Sequence, residues 1–125
     1  MSNPNIVNVT SILGTTTYLT PANTTANTLL SNAALSGLVF KINQIVCANV
    51  NGTSAVNATV SINNAAAGAG TNFPVISTVS VPASASVIAV DKTTAIYLME
   101  NSSIVVTSGT ASGITYTISY ESIAS

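Results

Sequence analysis

The chain has no histidine, no tryptophan and a single cysteine, Cys47, among its 125 residues. Without histidine it lacks both the commonest general base and the commonest metal ligand of proteins. One cysteine excludes an internal disulfide framework and any zinc site built from several cysteines. Cys47 lies in the apolar stretch "INQIVCANV", which predicts a small buried strand residue rather than an activated nucleophile.

Charge is equally scarce. Charged residues make up 4% of the chain and only two of them are basic, whereas about 25% is usual in globular proteins. Two basic residues cannot neutralise a row of phosphates, so we expect no nucleic-acid binding and no binding to membrane headgroups. A net charge of −1 also removes the repulsion that keeps proteins dispersed, which favours a subunit that packs against other subunits.

Three of the five charged side chains, Asp91, Lys92 and Glu100, lie in "AVDKTTAIYLMENSSIVV". A strand of five to eight residues between the two carboxylates would separate them by roughly 17 to 25 Å. We therefore interpret these charges as solvated strand ends and not as an acid–base pair or a calcium site. Lys41, in "VFKINQ", is predicted to lie at a sheet edge or to face outward, where it discourages unwanted strand pairing. These observations predict no enzyme, no cofactor and no small-molecule substrate.

Small neutral polar residues take the place of the missing charges. Ser, Thr and Asn together account for 49 of the 125 residues. The mean hydropathy of +0.56 and the low net charge are unlike those of disordered chains. A chain of this length removes roughly two-thirds of its unfolded surface from water, so we expect one folded domain over residues 1 to 125.

The dominant periodicity of the sequence is two, as in "GITYTISYE", where large apolar residues alternate with hydroxyls. Residues 38–50 are long enough for one bent strand, which Asn43 and Gln44 interrupt with a predicted bulge. The other predicted strands are 6–13, 15–19, 26–31, 56–62, 75–81, 86–91, 95–99, 103–108 and 114–121. This pattern predicts an all-β, antiparallel β-sandwich, jelly-roll or Ig-like, with about eight to nine short strands.

Turn residues separate the predicted strands. Asn51-Gly52 is a strong hairpin signal, and Pro82 is predicted to end a strand because proline cannot donate to a central ladder. Residues 63–72, "NNAAAGAGTN", are predicted to be the most flexible loop, because two glycines and the lack of an apolar stripe oppose a helix.

The N-terminal part has a weaker alternation than the rest. Residues 1–24 are predicted to be either an extended arm that docks on a neighbouring subunit or an ordinary edge strand of the same sandwich. No basic region with an apolar run marks a signal peptide, and no apolar run approaches the ~20 residues of a membrane helix, so we expect assembly in the cytoplasm. The candidate interface consists of the apolar residues of this segment: Ile6, Val7, Val9, Ile12 and Leu13.

The segments "FKINQIVCANVNGTSA", "VSVPASASVIAV" and "AIYLMENSSIVV", with the closing "ISYES", are similar to a known group of proteins. Over about residues 28–122 the chain resembles the small β-rich virion structural proteins of tailed phages, especially phages of marine cyanobacteria. The resemblance implies a non-enzymatic subunit present in many copies on a capsid, neck or tail. Asn101 and Ser102 follow Glu100 where other members tend to have an acidic residue, which argues against ion binding.

The resulting hypothesis is a capsid decoration or cement protein that binds the head surface. Its expected partners are further copies of itself, with a trimer among the symmetries considered, and other virion proteins such as the major capsid protein. Its expected location is the virion. A neck or collar subunit and a tail- or fibre-associated subunit are alternatives. A host-glycan-binding module is a further alternative, although sugar sites usually need aromatic platforms and the chain has no tryptophan and four tyrosines.

Overall fold

The structure, a computed structural model, describes residues 4–125. Nine strands account for most of this part of the chain. Their bounds are β1 Ser11–Leu19, β2 Asn27–Asn32, β3 Leu38–Asn49, β4 Val56–Asn63, β5 Asn72–Val81, β6 Ser86–Val90, β7 Ile96–Leu98, β8 Ser102–Ser108 and β9 Ile114–Ala124. Two single 3₁₀ turns, at Ala66–Gly68 and Lys92–Thr94, lie between strands.

The strands form two antiparallel sheets. Sheet A has the order β1-β9-β3-β6, with β7 also paired to β3, and sheet B has the order β2-β8-β4-β5. The chain passes from one sheet to the other after almost every strand, and the first two strands lie in different sheets, unlike those of an immunoglobulin domain. This strand order is that of a jelly roll. The prediction of an all-β, antiparallel sandwich with eight to nine strands is confirmed.

One apolar core fills the space between the sheets. Its largest fully buried side chains come from strands of both sheets, and along the central strands most of them alternate with less buried ones, because successive side chains of a strand point to opposite faces. The core contains Leu29, Leu30, Phe40, Ile42, Ile45, Cys47, Val56, Ala58, Val60, Val81, Val90, Leu98, Ile104, Val106, Ile114, Tyr116 and Ile118.

Several local predictions agree with the structure. The pairing of β3 with β9 shifts register between Ile42 and Gln44, which confirms the bulge predicted at Asn43. Strand β5 ends at Val81, immediately before Pro82. The strands predicted at 6–13 and 15–19 are instead one strand, β1, which begins only at Ser11 and continues through Gly14.

The predicted hairpin at Asn51-Gly52 is wrong. This turn joins β3 of sheet A to β4 of sheet B, so the chain crosses between the sheets there and the two strands do not pair. Asn51 shapes the turn through its own side chain, whose Oδ1 accepts hydrogen bonds from the backbone N–H of Thr53 (2.9 Å) and of Ser54 (3.1 Å). The sequence placed a connection between strands correctly, but Asn51 and Gly52 lack the positive φ of a type I′ hairpin turn, and the local sequence does not specify which sheet receives the next strand.

Residues 63–72, predicted to be a flexible loop, begin at the last residue of β4, end at the first residue of β5 and contact sheet B in between. The 3₁₀ turn of this loop lies on sheet B, where the N–H of Ala67 donates to Ser31 Oγ (2.9 Å). The N–H of Gly68 donates to Ser103 Oγ (3.0 Å). Gly68 has a φ of +69°, a conformation that favours glycine. Side-chain hydroxyls of two strands therefore hold this loop against the sheet.

Three buried asparagines occupy the last residues of strands: Asn32, Asn49 and Asn63. The Asn49 amide donates to the carbonyls of Ser54 (3.0 Å) and Val81 (2.9 Å), so it bonds backbone groups where the ladder ends. Buried backbone groups need partners, and these side chains supply them. The abundance of asparagine therefore serves the interior of the fold as well as its surface.

The buried Tyr116 connects the two sheets. Its side chain extends from β9 in sheet A, and its hydroxyl donates to the carbonyl of Thr107 in sheet B (2.6 Å). The same hydroxyl accepts a longer hydrogen bond from the N–H of Thr59 on β4 (3.4 Å). Burial of a tyrosine is stable when its hydroxyl has such a partner. No helix within residues 4–125 is long and apolar enough to span a membrane.

Candidate functional site

The predicted interface residues lie on β1 and on the segment that precedes it. Val7 has 90% of its surface exposed, Leu13 63%, Ile12 55% and Ile6 51%, and Val9 is half-buried. The structure thus presents four of the five apolar side chains to solvent. Residues 11–19 form an edge strand of the sandwich, which was one of the two alternatives for the N-terminal part. Residues 1–3 of the predicted arm lie outside the described residues.

Strand β1 is an outer strand that has a partner, β9, on one side only. Its register with β9 continues without interruption from the pair Ser11–Ala124 to the pair Leu19–Tyr116. It contains no proline, and no charged residue occurs before Lys41 in the sequence. Outer strands of natural proteins usually have charges, prolines or bulges that prevent pairing with another chain. Strand β1 has none of them.

The outer strand β5, at one edge of sheet B, is constructed differently. It contains Pro74, and its pairing with β4 shifts register twice, between Ala58 and Val60 and again between Val60 and Ser61. Proline removes a backbone donor and each bulge bends the strand, so β5 cannot offer a regular ladder to another chain.

The remaining edges are short or covered. Strand β2, at the other edge of sheet B, has six residues and a register shift, and the 3₁₀ turn Ala66–Gly68 is bonded to its Ser31. The edge of sheet A opposite β1 is divided between β6, with five residues, and β7, with three. Among the described residues, β1 is therefore the one long and regular edge that is open to strand pairing.

Both faces of β1 have exposed apolar side chains. Ile12 and Tyr18 have the same parity along the strand and lie on the outer face of sheet A, where Tyr18 is 74% exposed. Leu13 lies on the opposite face of the strand, which is the face toward the core, but at a position past the end of the core. The sequence identified Ile12 and Leu13 but not Tyr18. Its strand, 15–19, was recognised from alternation, yet alternation does not reveal that a strand lies at an edge.

Asp91 stabilises a turn. Its carboxylate accepts hydrogen bonds from the backbone N–H of Thr93 (2.9 Å) and of Thr94 (3.2 Å), which caps the 3₁₀ turn Lys92–Thr94. The hydrogen bonds from Thr93 lower the pKa of the Asp91 carboxyl below its usual value. Glu100 follows β7, at the other end of this strand from Asp91. The prediction that these charges lie at strand ends is confirmed, but Glu100 is not fully solvated, because its Oε1 atom is buried.

The other two charged residues are cross-strand neighbours on the outer face of sheet A. Lys41 of β3 is directly opposite Glu121 of β9. The Asn43 amide donates to the Glu121 carboxylate at 3.0 Å, and the Oδ1 atom of Asn43 is buried without a hydrogen-bond partner. Lys41 faces outward as predicted, but on a central strand and not at an edge. Opposite charges in such positions support strand pairing.

Burial holds the Cys47 thiol and the Tyr116 hydroxyl in their protonated forms. Cys47 is fully buried, and burial raises the pKa of its thiol to about 12, so at neutral pH it is protonated. Burial also raises the pKa of Tyr116 above its usual value. Within residues 4–125, no three His, Cys, Asp or Glu side chains come together in a group that could hold a metal ion.

Comparison of the chain with protein families, with curated proteins and with solved structures finds no match.

Proposed function

We propose that the protein is a non-enzymatic structural subunit of a phage virion, and specifically a decoration protein that binds the capsid surface as a homo-oligomer. The observation on which this depends is the open edge at β1, a nine-residue strand with exposed Ile12, Leu13 and Tyr18. Such an edge forms a sheet with another chain through main-chain hydrogen bonds, and its apolar side chains add buried area.

Two further observations support the proposal. Jelly rolls occur in viral capsid proteins, although they also occur in lectins and other proteins, so the fold alone does not specify a function. The resemblance of residues 28–122 to phage virion proteins favours the viral alternative. The partner in the particle is then the major capsid protein, and the location of the chain is the virion.

Contacts of this type should depend little on salt. With five charged residues in the chain, few ion pairs are available at an interface, so most of the binding free energy comes from apolar burial and backbone pairing. We expect binding to purified capsids to persist between 50 mM and 500 mM salt. A steep loss of binding over this range would contradict the proposal.

Quantitative mass spectrometry of purified particles tests the proposed location. We expect the protein in hundreds of copies per particle, in a fixed ratio to the major capsid protein. Detection only in the lysate of infected cells would reject a virion role. A few copies per particle would reject capsid decoration and support the neck or tail alternatives.

A binding assay with particles that lack the protein tests the role of β1. The variant Ile12→Lys should bind less than the unmodified chain, because it places a charge on the open edge. The matched control is Ile88→Lys, since Ile88 on β6 is also 55% exposed. Equal binding by the two variants would show that capsid binding does not require strand pairing at β1.

A further inference from the structure

We propose that two copies of the chain pair through β1, antiparallel about a two-fold axis at Thr15, so that sheet A continues from one copy into the other. This inference deepens the proposed function and rests on it for the role of β1 in assembly. It names the first partner of that strand as a second copy of the chain.

The limits of β1 determine the register. The strand runs from Ser11 to Leu19 and Thr15 is its central residue, so full overlap of two antiparallel copies places Thr15 opposite Thr15. In this register Ile12 of each copy faces Tyr18 of the other, and the two-fold axis generates this contact twice. A β-branched residue opposite an aromatic one is a favourable cross-strand pair. The two exposed apolar side chains on the outer face of β1 are thereby paired with each other.

The second face of the strand is equally compatible with this register. Leu13, 63% exposed, lies opposite Thr17 of the other copy, so part of its apolar surface becomes buried. On the face toward the core, no cross-strand pair in this register joins two bulky groups. On the outer face, beside the Ile12–Tyr18 pairs, Gly14 lies opposite Thr16, and a residue without a side chain leaves space for a β-branched neighbour.

Charge presents no obstacle to self-pairing. The first 40 residues contain no charged side chain. The nearest charge is Glu121 on β9, opposite Gly14. In the dimer the two β9 strands are three strand spacings apart, roughly 14 Å at ~4.8 Å per spacing. This separation exceeds the screening length of ~8 Å at physiological ionic strength, so the two carboxylates repel each other weakly.

The molar mass of the purified chain, measured by light scattering during gel filtration, tests the dimer. We expect twice the mass of the 12.5 kDa chain. Ile12→Lys should raise the dissociation constant at least about tenfold, a change of about 1.4 kcal/mol in binding free energy. Ile88→Lys should leave the dimer intact. If Ile12→Lys does not fold, as judged by circular dichroism, Tyr18→Lys replaces it, because Tyr18 is 74% exposed.

Three results would overturn the inference. The first is a monomer of the unmodified chain. The second is a trimer, because pairing of one strand about a two-fold axis cannot form one. The third is equal weakening of the dimer by the lysine variants at positions 12 and 88. Because these measurements use the purified protein, they are independent of the particle. A dimer that is absent from virions would reject the proposed function alone, and a monomer found in virions would reject the dimer alone.

Disulfide cross-linking tests the register. The double variant Ile12→Cys, Tyr18→Cys places two cysteines opposite each other in the dimer and should give a covalent dimer on oxidation. Each single variant should give none, because equivalent residues of the two copies are then six positions apart, roughly 20 Å. Cys47 does not interfere because it is fully buried. Cross-linking of a single variant as efficient as that of the double variant would overturn the register.

Discussion

The outer strands β1 and β5 have nearly the same length, nine and ten residues, but only β1 is regular. Strand β5 contains Pro74 and two bulges, and Thr78 within it has a φ of +47°. Strand β1 keeps one register with β9 throughout. The difference is that β5 cannot offer a regular ladder to another chain, whereas the geometry of β1 leaves that edge open to strand pairing.

The irregular edge also depends on specific interior groups. The carbonyl of Val81, the last residue of β5, accepts a hydrogen bond from the Asn49 amide, and Thr78 N–H donates to Thr59 Oγ1 at 2.9 Å. Side chains thus supply the bonds that a regular ladder would have made. In β1 one side-chain hydrogen bond reaches the neighbouring strand, between the exposed hydroxyls of Thr16 and Ser119 (3.0 Å).

The largest effect is expected for Asn49→Ala. Loss of the amide leaves the carbonyls of Ser54 and Val81 and the N–H of Asn51 without this partner. We expect the free energy of unfolding to fall by about 3 kcal/mol, measured by urea denaturation. Asn57→Ala, at an exposed position of β4, should change it by less than about 0.5 kcal/mol. Equal effects of the two substitutions would contradict the assigned role of Asn49.

Replacing tyrosine by phenylalanine at two positions compares the contribution of a buried hydroxyl to stability with that of an exposed hydroxyl on the edge strand. Tyr116→Phe removes the hydroxyl that joins sheet A to Thr107 in sheet B, and should lower the free energy of unfolding by about 1 to 2 kcal/mol. Tyr18→Phe on β1 removes an exposed hydroxyl and should stay within about 0.5 kcal/mol of the unmodified chain. Thermal denaturation of both variants under one buffer condition provides the measurement, and a larger loss for Tyr18→Phe would refute this distinction.

Removing the proline from β5 should make the two edges more alike. Pro74→Val restores a backbone donor at the edge of sheet B, so we expect weak additional association that grows with protein concentration. Sedimentation velocity at several concentrations detects it. The two bulges remain, so the effect should be smaller than the association through β1. Pro82→Val, outside the strands, is the control, and association in this variant as well would mean that strand pairing is not the cause.

The smallest expected effect concerns the pKa of Asp91, which lies beside the edge of sheet A opposite β1. Its pKa lies below the usual 3.8, so the cap it forms is fully present above pH 3.8 and weakens as the pH falls through the lowered pKa. Thr93→Val should raise the pKa of Asp91 towards 3.8, because it removes the hydroxyl that bonds to the carboxylate. An NMR titration of the carboxyl carbon measures the shift, and an unchanged pKa would contradict this cause.

The sequence allowed most strands to be predicted because alternation of apolar and polar residues directly reflects a two-sided strand. The bulge at Asn43 and the strand end before Pro82 were predicted for similarly local reasons. The hairpin at Asn51-Gly52 was wrong because a turn sequence specifies local dihedral angles, whereas the sheet that each strand joins depends on contacts distant in sequence. The roles of Asn49 and Tyr116 were missed for the same reason.

The sequence by itself determined an all-β chain with few charges, in which Ile12 and Leu13 are apolar residues of a weakly patterned N-terminal segment. Only the tertiary structure placed that segment at the edge of sheet A, next to the C-terminal strand β9, about 100 residues away in sequence. Whether a strand lies at an edge depends on which other strands pair with it. This is a property of the whole arrangement of strands and not of the strand's own residues.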